Sequence, residues 1–223
     1  MKMMRKILLG SLVTSLILTT ARAEDPLLGL YFKADAGGNW TKSTSLNEFF
    51  GPVTPGSHVE FDAGPRFGLT VGYDVLDFLG FEFQTGVMEN EISSITDATD
   101  LDARLINIPF MANARLHLPT YFRVSPYVGA GVGGSSTILD SDHITINDIT
   151  LSGSAADTVF AWQAFGGVRF SLSQHMGLSF EYRYFQSDSP RWRTDFAFGT
   201  ETDTMRMGKI RTHAVSVAFD WTF

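Results

Sequence analysis

The sequence HAVSVAFDWTF, residues 213–223, alternates between two kinds of side chain. From residue 215 onward, the odd-numbered positions carry large apolar or aromatic side chains, and the positions between them are small or polar. A repeat of two residues is typical of a β-strand, in which successive side chains point to opposite faces. The segment therefore predicts a strand with one long apolar face and one polar face.

Seven further segments show the same two-residue repeat, so the sequence predicts eight strands. These segments are residues 30–40, 66–75, 79–88, 104–118, 122–134, 160–172 and 176–185. A fold with this many strands and no helical repeat belongs to the all-β class.

The connections between the predicted strands alternate between short and long. The short ones lie near residues 77, 119 and 174, and the long ones cover roughly 41–60, 89–102, 135–157 and 187–208. Short turns at one end and long loops at the other are typical of an outer-membrane barrel. We therefore predict an eight-stranded antiparallel up-and-down transmembrane β-barrel, with four long loops that are mobile and lack regular structure.

The predicted barrel has one face for lipid and one for its lumen. A charged side chain facing lipid costs about 2–4 kcal/mol near the midplane of the bilayer. Because one face of each strand is almost free of charge, we expect that face to point outward. Pairing of the last strand with the first would remove the open backbone edge that hydrocarbon does not tolerate. The alternative is a soluble lipocalin-like barrel, with its apolar residues inside.

The first 23 residues have the parts of a secretory signal peptide. Lys2, Arg5 and Lys6 supply positive charge, about 14 apolar residues follow, and residues 21–23 have the form of a cleavage site. A membrane-spanning helix needs roughly 20 apolar residues, so this segment is too short. We predict cleavage after Ala23, a barrel domain over residues 24–223 and a location in the outer membrane of a Gram-negative type bacterium. The alternative is a retained amphipathic anchor.

Composition argues against several classes of partner and site. Without the four basic residues of the signal, 13 of the 17 basic residues remain against 24 acidic ones, a net charge of −11. This balance argues against nucleic acid, whose phosphates are bound by clustered Lys and Arg. The chain has no cysteine, so the fold cannot depend on disulfides.

The stretch GAGVGG, residues 129–134, matches a dinucleotide-binding pattern. No helical repeat follows it, so the stretch does not predict a dinucleotide site.

Neither the histidines nor the acidic residues predict a reaction centre. The five histidines are scattered, and no serine with a histidine and an acid converges in the predicted barrel. Acidic residues cluster in the second and third long loops without the spacing of a calcium loop, which favours a solvated acidic surface. We therefore predict no catalytic residue, no cofactor and no metal site, and we do not expect an enzyme.

Four stretches resemble a known family, the small eight-stranded outer-membrane barrels of the OmpA and OmpX type. They are SPYVGAGVGGS (125–135), FAWQAFGGVRFSL (160–172), LSFEYRYF (178–185) and the closing VSVAFDWTF (215–223). The resemblance implies a porin-like or surface-antigen barrel, and we predict that the barrel is monomeric. It also implies that the barrel-assembly machinery reads the aromatic residues of the last strand, Phe219, Trp221 and Phe223.

Charged residues on the inward faces form the first candidate site. They are Lys33, Asp35, Glu82, Arg115, Arg169, Glu181 and Arg183. An eight-stranded barrel is just wide enough for side chains to fill, and buried charges persist only when partnered. We therefore predict a network of salt bridges that plugs the lumen. The alternative is a gated path for small solutes or protons.

Basic and aromatic residues near the outer membrane surface form the second candidate site. Arg191, Trp192, Arg193 and Arg211 are predicted to contact lipopolysaccharide, because arginine pairs bidentately with phosphate. Ordinary anchoring by an aromatic girdle is the alternative, with Trp40, Phe160, Trp162, Tyr182 and Tyr184 as candidates.

The function predicted from the sequence is that of a structural membrane component and surface scaffold. Long surface loops in a compact fold are often functional, so we expect them to contact host or environmental ligands. The alternative is a narrow porin-like channel for small solutes or ions. The predicted partners are outer-membrane lipid, lipopolysaccharide and the barrel-assembly machinery.

Overall fold

The computed structural model of the protein describes residues 29–49, 51–117, 123–146, 149–194 and 203–223. The predicted signal peptide and the predicted turn near residue 119 lie outside these residues. Within the described ranges, no helix is long and apolar enough to cross a membrane.

Twelve β-strands form the regular structure of the described residues. Their bounds are β1 Leu30–Thr41, β2 Thr44–Phe49, β3 His58–Phe61, β4 Gly64–Leu76, β5 Leu79–Ile95, β6 Ala98–His117, β7 Val124–Ile146, β8 Ile149–Ser171, β9 Met176–Ser187, β10 Arg191–Thr194, β11 Asp203–Met207 and β12 Ile210–Thr222.

Eight of these strands form a closed antiparallel ring, in the order β1, β4, β5, β6, β7, β8, β9 and β12. The closing seam pairs β1 with β12 from Tyr31 opposite Thr222 to Thr41 opposite Thr212. Closure pairs the backbone edges that an open sheet would leave free. The structure thus confirms the predicted eight-stranded barrel.

The two faces of the ring differ in chemistry as the alternation predicts. Along β4, Phe67, Leu69 and Val71 point outward and are 60%, 62% and 42% exposed, whereas Arg66 and Thr70, at the alternate positions, are buried. Large apolar side chains with this exposure suit a hydrocarbon environment, because charged groups are costly there. The outer face of the ring is therefore the lipid-facing surface.

The prediction of four long irregular loops is wrong. β5 continues to Ile95 and β6 begins at Ala98, so only a two-residue turn joins them. β7 and β8 likewise continue to residues 146 and 149, far beyond the predicted membrane strands. The first and last long connections contain the short strands β2, β3, β10 and β11. Backbone pairing, rather than irregular loop, therefore occupies most of the described residues at this end of the molecule.

These additional strands continue the barrel wall beyond the ring. β3 pairs with the end of β5, β2 pairs with β3, β11 pairs with β2, and β10 pairs with β11. Together with the far ends of β5, β6, β7 and β8 they extend the same twelve-stranded sheet above the membrane ring. We call this part the extension. It comprises β2, β3, β10, β11 and residues 89–105 and 135–159.

The polarity of the wall reverses between the ring and the extension. On β5, Phe83 points outward and Glu82 inward within the ring, whereas Glu91 points outward and Ile92 inward within the extension. The interior of the extension is an apolar cluster: Leu46, Phe49, Val59, Ile92, Ile95, Ala103, Leu105, Leu139, Ile144, Ile146, Trp192, Met205, Met207 and Ile210. The extension is therefore built like a water-soluble β-protein, while the ring below it is not.

Candidate functional site

The lumen of the ring is the candidate site, and strand alternation positions its side chains. Because the outward positions of each ring strand are apolar, the polar residues between them must point inward. At the level nearest the short turns these inward residues are charged. The cluster centres on Glu181 of β9, which is 5% exposed.

Glu181 joins two cations and a phenol. Lys33 Nζ lies 2.8 Å from Glu181 Oε2, and the guanidinium of Arg183 donates to Glu181 Oε1. The hydroxyl of Tyr127 also donates to Glu181 Oε2, at 3.0 Å. A buried carboxylate keeps its charge only with such partners, so these contacts fix all four side chains together.

A second group of charges surrounds Arg115 on β6. Its Nη2 donates to Asp74 Oδ1 at 2.9 Å, and its Nε lies 3.5 Å from Glu82 Oε1. The hydroxyl of Tyr31 donates to the same Glu82 oxygen at 2.7 Å, and the guanidinium lies 4.3 Å from the centre of the Tyr31 ring. A cation over an aromatic ring adds a further attraction, so Arg115 is held on several sides.

Neutral amides fill the space beside the charges. Gln163 Nε2 donates to Gln84 Oε1 at 2.8 Å and to Asn113 Oδ1 at 2.6 Å. The guanidinium of Arg183 donates to the same oxygen of Gln84. These bonds join strands from opposite sides of the ring and therefore span the lumen.

Three further layers lie above the charges. Met88, Met111, Ala161 and Phe185 form a small apolar cluster. Above it are threonines and asparagines, among which Thr41 Oγ1 donates to Asn90 Oδ1 at 2.8 Å and Thr137 Oγ1 to Asn107 Oδ1 at 3.0 Å. The apolar interior of the extension covers this layer. An ion crossing the molecule would meet two apolar layers, each of which removes its hydration.

Most of the predicted lumen charges lie together. Lys33, Asp35, Glu82, Arg115, Glu181 and Arg183 are all buried inside the ring. Arg169 is only partly buried, and its Nη2 donates to Thr222 Oγ1 at 3.2 Å rather than to one of the described acids. It lies at the rim, outside the central network.

Sequence reasoning missed three residues of the network. Arg66 pairs with Asp35, Asp74 pairs with Arg115, and Asp220 accepts a hydrogen bond from Ser179. All three lie on the polar face of the alternation in β4 or β12, where the repeat itself would have indicated them. The ion pairs could not be assigned, because the register between strands was unknown.

The chain matches the model of a single protein family over residues 9–223, described as the outer membrane protein β-barrel domain. This protein is a member of that family. No curated protein sequence matches the chain. In outer-membrane barrels the short turns face the periplasm and the longer connections face outward. The extension accordingly lies at the extracellular end.

Solved structures share the barrel fold. The outer membrane protein OprG from Pseudomonas aeruginosa is 13% identical with a TM-score of 0.61, covering 88% of this chain and 97% of that one. Neisserial surface protein A is 19% identical with a TM-score of 0.54, covering 87% and 97%. The outer membrane protein AlkL, determined in lipid bilayers, is 15% identical with a TM-score of 0.55, covering 92% and 95%.

The predicted lipopolysaccharide site is divided by the structure. Trp192 is buried in the extension, where its Nε1 donates to the carbonyl of Thr137 at 3.0 Å, so its ring cannot contact lipid. Arg191 and Arg193 point outward on either side of it. Arg211 lies lower, on the outward face of β12. The prediction is therefore corrected for Trp192, which alternation in β10 turns toward the core.

An aromatic girdle surrounds His213 on the outer face. Trp40 stacks on the imidazole with ring centres 5.9 Å apart, and the Tyr182 hydroxyl lies 2.6 Å from His213 Nδ1. Tyr184 packs edge-on at 5.3 Å from His213 and also contacts Trp162. The rings form one continuous patch. Trp and Tyr are enriched where hydrocarbon meets headgroups, so this patch marks the outer interface.

The predicted assembly residues also point outward. Phe219, Trp221 and Phe223 are 43%, 42% and 45% exposed, at the opposite end from the extension. Phe223 packs edge-on against Phe32 of β1, with ring centres 5.8 Å apart. Their role in assembly stays a prediction.

Proposed function

We propose that the protein is a non-conducting barrel of the cell outer membrane that presents its extension as a rigid surface scaffold. The observation that carries this proposal is the series of filled layers inside the wall. Because side chains fill the lumen at several levels, the barrel offers no open path for solutes. The extension has an apolar core of its own and therefore presents a fixed outer surface.

Opening a path through the charged layer would require breaking buried ion pairs. Removing one partner of such a pair typically costs about 3–5 kcal/mol, because the other charge is left uncompensated. Glu181 alone has two cationic partners, Lys33 and Arg183. If one side chain left this group, the remaining charges would be buried without a partner. The charged layer therefore favours a permanent plug over a gate.

The extension supports the scaffold proposal because its paired strands enclose an apolar core of their own. A preorganised surface binds with a smaller ordering cost than a flexible loop. Its outer wall carries an open groove with acidic sides, in which Arg104 bridges Asp140, 2.7 Å from its Nη2, and Glu89, 3.5 Å from its Nη1. We infer that this outer wall is the part of the molecule that contacts host or environmental ligands.

Electrical recording tests the proposal directly. The purified protein, shown to be folded by its heat-dependent gel mobility, is added to planar lipid bilayers at symmetric salt. We expect no reproducible conductance steps. A variant that disrupts the centre of the charged layer, Glu181→Ala with Arg183→Ala, leaves the residues of the extension unchanged and should also remain silent, since the apolar layers still block ions. Reproducible open-channel steps in the native protein would overturn the proposal.

One observation favours a second candidate, a narrow hydrated path. Asp35 Oδ2, Glu82 Oε2 and Arg183 Nε are buried without a hydrogen-bond partner among the described residues. Buried polar atoms without protein partners are commonly satisfied by water. Proton flux into vesicles that contain a pH-sensitive dye separates the candidates. Flux above that of protein-free vesicles supports the path, and equal flux supports the plug.

The location and processing of the chain belong to the same proposal. Export to the outer membrane requires a signal, and residues 1–23 supply one that ends at Ala23. N-terminal sequencing of the protein from outer-membrane fractions should begin at Glu24. Insertion by the barrel-assembly machinery is expected to depend on the aromatic residues of β12.

A further inference from the structure

Two basic side chains lie side by side on the lipid-facing side of the closing seam. Trp40 and His213 are opposite each other in the β1–β12 ladder, which ends at Thr41 opposite Thr212. Lys42 is the residue directly after β1, and Arg211 is the next outward residue of β12. The backbone N–H of Lys42 donates to the carbonyl of Arg211 at 2.8 Å. Both side chains are exposed. Residues directly opposite in an antiparallel ladder have Cβ atoms about 4.5–5.5 Å apart, so the two charges are neighbours.

The charges of this pair are uncompensated within the described part of the chain. The ion pairs among described residues include Lys209 with Asp188, 3.4 Å apart, immediately beyond Arg211, but none with Lys42 or Arg211. Like charges directly opposite each other destabilise a ladder. An anion placed between them would convert this repulsion into attraction.

The height of the pair identifies the source of that anion. The girdle around His213 marks the boundary between hydrocarbon and headgroups. Two residues of a strand tilted by about 40° rise roughly 5 Å, which places Lys42 and Arg211 in the headgroup layer. The anions concentrated there are lipid phosphates, and the rings of Trp40 and Tyr182 lie below to contact the remainder of the lipid.

We propose that Lys42 and Arg211 bind a phosphate group of a phosphorylated glycolipid in the outer leaflet, with the girdle at Trp40 and His213 packing against its apolar part. Arginine contributes a planar bidentate donor and lysine a compact charge, a combination suited to phosphate. The site shares Arg211 with the predicted set, adds Lys42, and excludes Arg191 and Arg193, which lie higher on the extension. It does not depend on whether the barrel conducts.

Lipid retention by paired variants tests the site. Lys42→Gln with Arg211→Gln is compared with Arg191→Gln with Arg193→Gln, which removes the same charge from the outward face of β10. All proteins are purified identically, checked for heat-dependent gel mobility, and analysed by mass spectrometry for phosphorylated glycolipid per barrel. We expect roughly tenfold less lipid on the first variant, because two charge-assisted contacts are lost, and native retention on the second. Equal retention by both variants would overturn the proposal.

A binding experiment distinguishes lipid from free phosphate. Delipidated protein in detergent is titrated with diphosphorylated lipid A, with enzymatically dephosphorylated lipid A, and with inorganic phosphate as competitor. The proposal predicts binding of the first lipid, at least several-fold weaker binding of the second, and little displacement by phosphate, which lacks a part that packs on the girdle. Equal binding of the two lipids, or full displacement by inorganic phosphate, would contradict it.

Discussion

Trp192 donates its indole N–H to the carbonyl oxygen of Thr137, 3.0 Å away, and so joins β10 to β7 across the interior of the extension. The ring is 1% exposed and packs in the apolar cluster with Met205 and Met207. This hydrogen bond, formed inside the extension, therefore holds β10 against β7.

Replacing Trp192 by Ala should release the extension. Removal of a buried aromatic ring typically costs about 3–5 kcal/mol, and the carbonyl of Thr137 would lose its partner. Limited proteolysis of the protein in detergent should then cut within the extension at protease concentrations that spare the native protein. The neighbouring variant Arg193→Ala, whose side chain points outward, should be as resistant as the native chain. Equal resistance of both variants would show that the indole does not hold the extension closed.

Replacing Glu181 by Gln should destabilise the ring. The substitution leaves Lys33 and Arg183 buried without their acid, a change that typically costs about 3–5 kcal/mol. The urea concentration needed to unfold the protein in detergent should fall clearly. Asp188→Asn removes an exposed acid that pairs with Lys209, and exposed pairs contribute only about 0–1 kcal/mol. If the two variants unfold at the same urea concentration, the lumen network does not stabilise the barrel.

Gly37 should be required for barrel closure. A Cβ at this position would lie 2.0 Å from the carbonyl oxygen of Val215 on β12, a backbone atom that cannot move without opening the seam. Gly37→Ala should therefore lower the yield of folded, heat-modifiable protein and its stability by about 1–3 kcal/mol. Adjacent Gly38 offers a matched control, since the nearest atom to its added Cβ is 3.9 Å away. A similar yield for both variants would contradict the close approach.

Lysine substitutions along one outward row should locate the edge of the hydrocarbon. Phe83 and Ser93 both point outward from β5, the first on the ring and the second on the extension. Phe83→Lys should destabilise the protein by about 2–4 kcal/mol, because it places a charge against acyl chains. Ser93→Lys should change stability by less than about 0.5 kcal/mol, as usual for an exposed site. Unfolding in lipid vesicles provides the comparison, and equal losses would place both residues in the same environment.

The membrane half of the fold could be predicted from the sequence because its signal is strong. Large apolar residues such as Phe81 and Phe83 alternate with polar ones, and only a lipid-facing strand explains a charge-free outer row of that length. The direction of each inward side chain follows from the same repeat. Which charges pair depends instead on the register between strands, so the partnership of Arg66 with Asp35 could not be derived.

The extension could not be predicted because its outward row is polar and its inward row is apolar, the reverse of the ring. Glu89 and Glu91 occupy the row that carries phenylalanines lower on β5, and Ile92 occupies the row that carries Glu82. Judged by the criteria of a membrane strand, this polar stretch resembles a loop. Register shifts, such as that between Ser141 and Ile144 on β7, interrupt the repeat further. The isoleucines that fill the core were therefore not assigned to an interior.

The reversal of polarity along β5, β6 and β7 also fixes how deeply the molecule sits. Sinking by two residues would carry Glu89, Arg104 and Asp140 into the acyl chains, and rising by the same distance would strip lipid from the phenylalanines below. Both displacements are opposed by free energies of several kcal/mol. The polarity of the wall thus sets the depth of the protein in the membrane. Any surface that the extension offers is therefore held at a constant height above the outer leaflet.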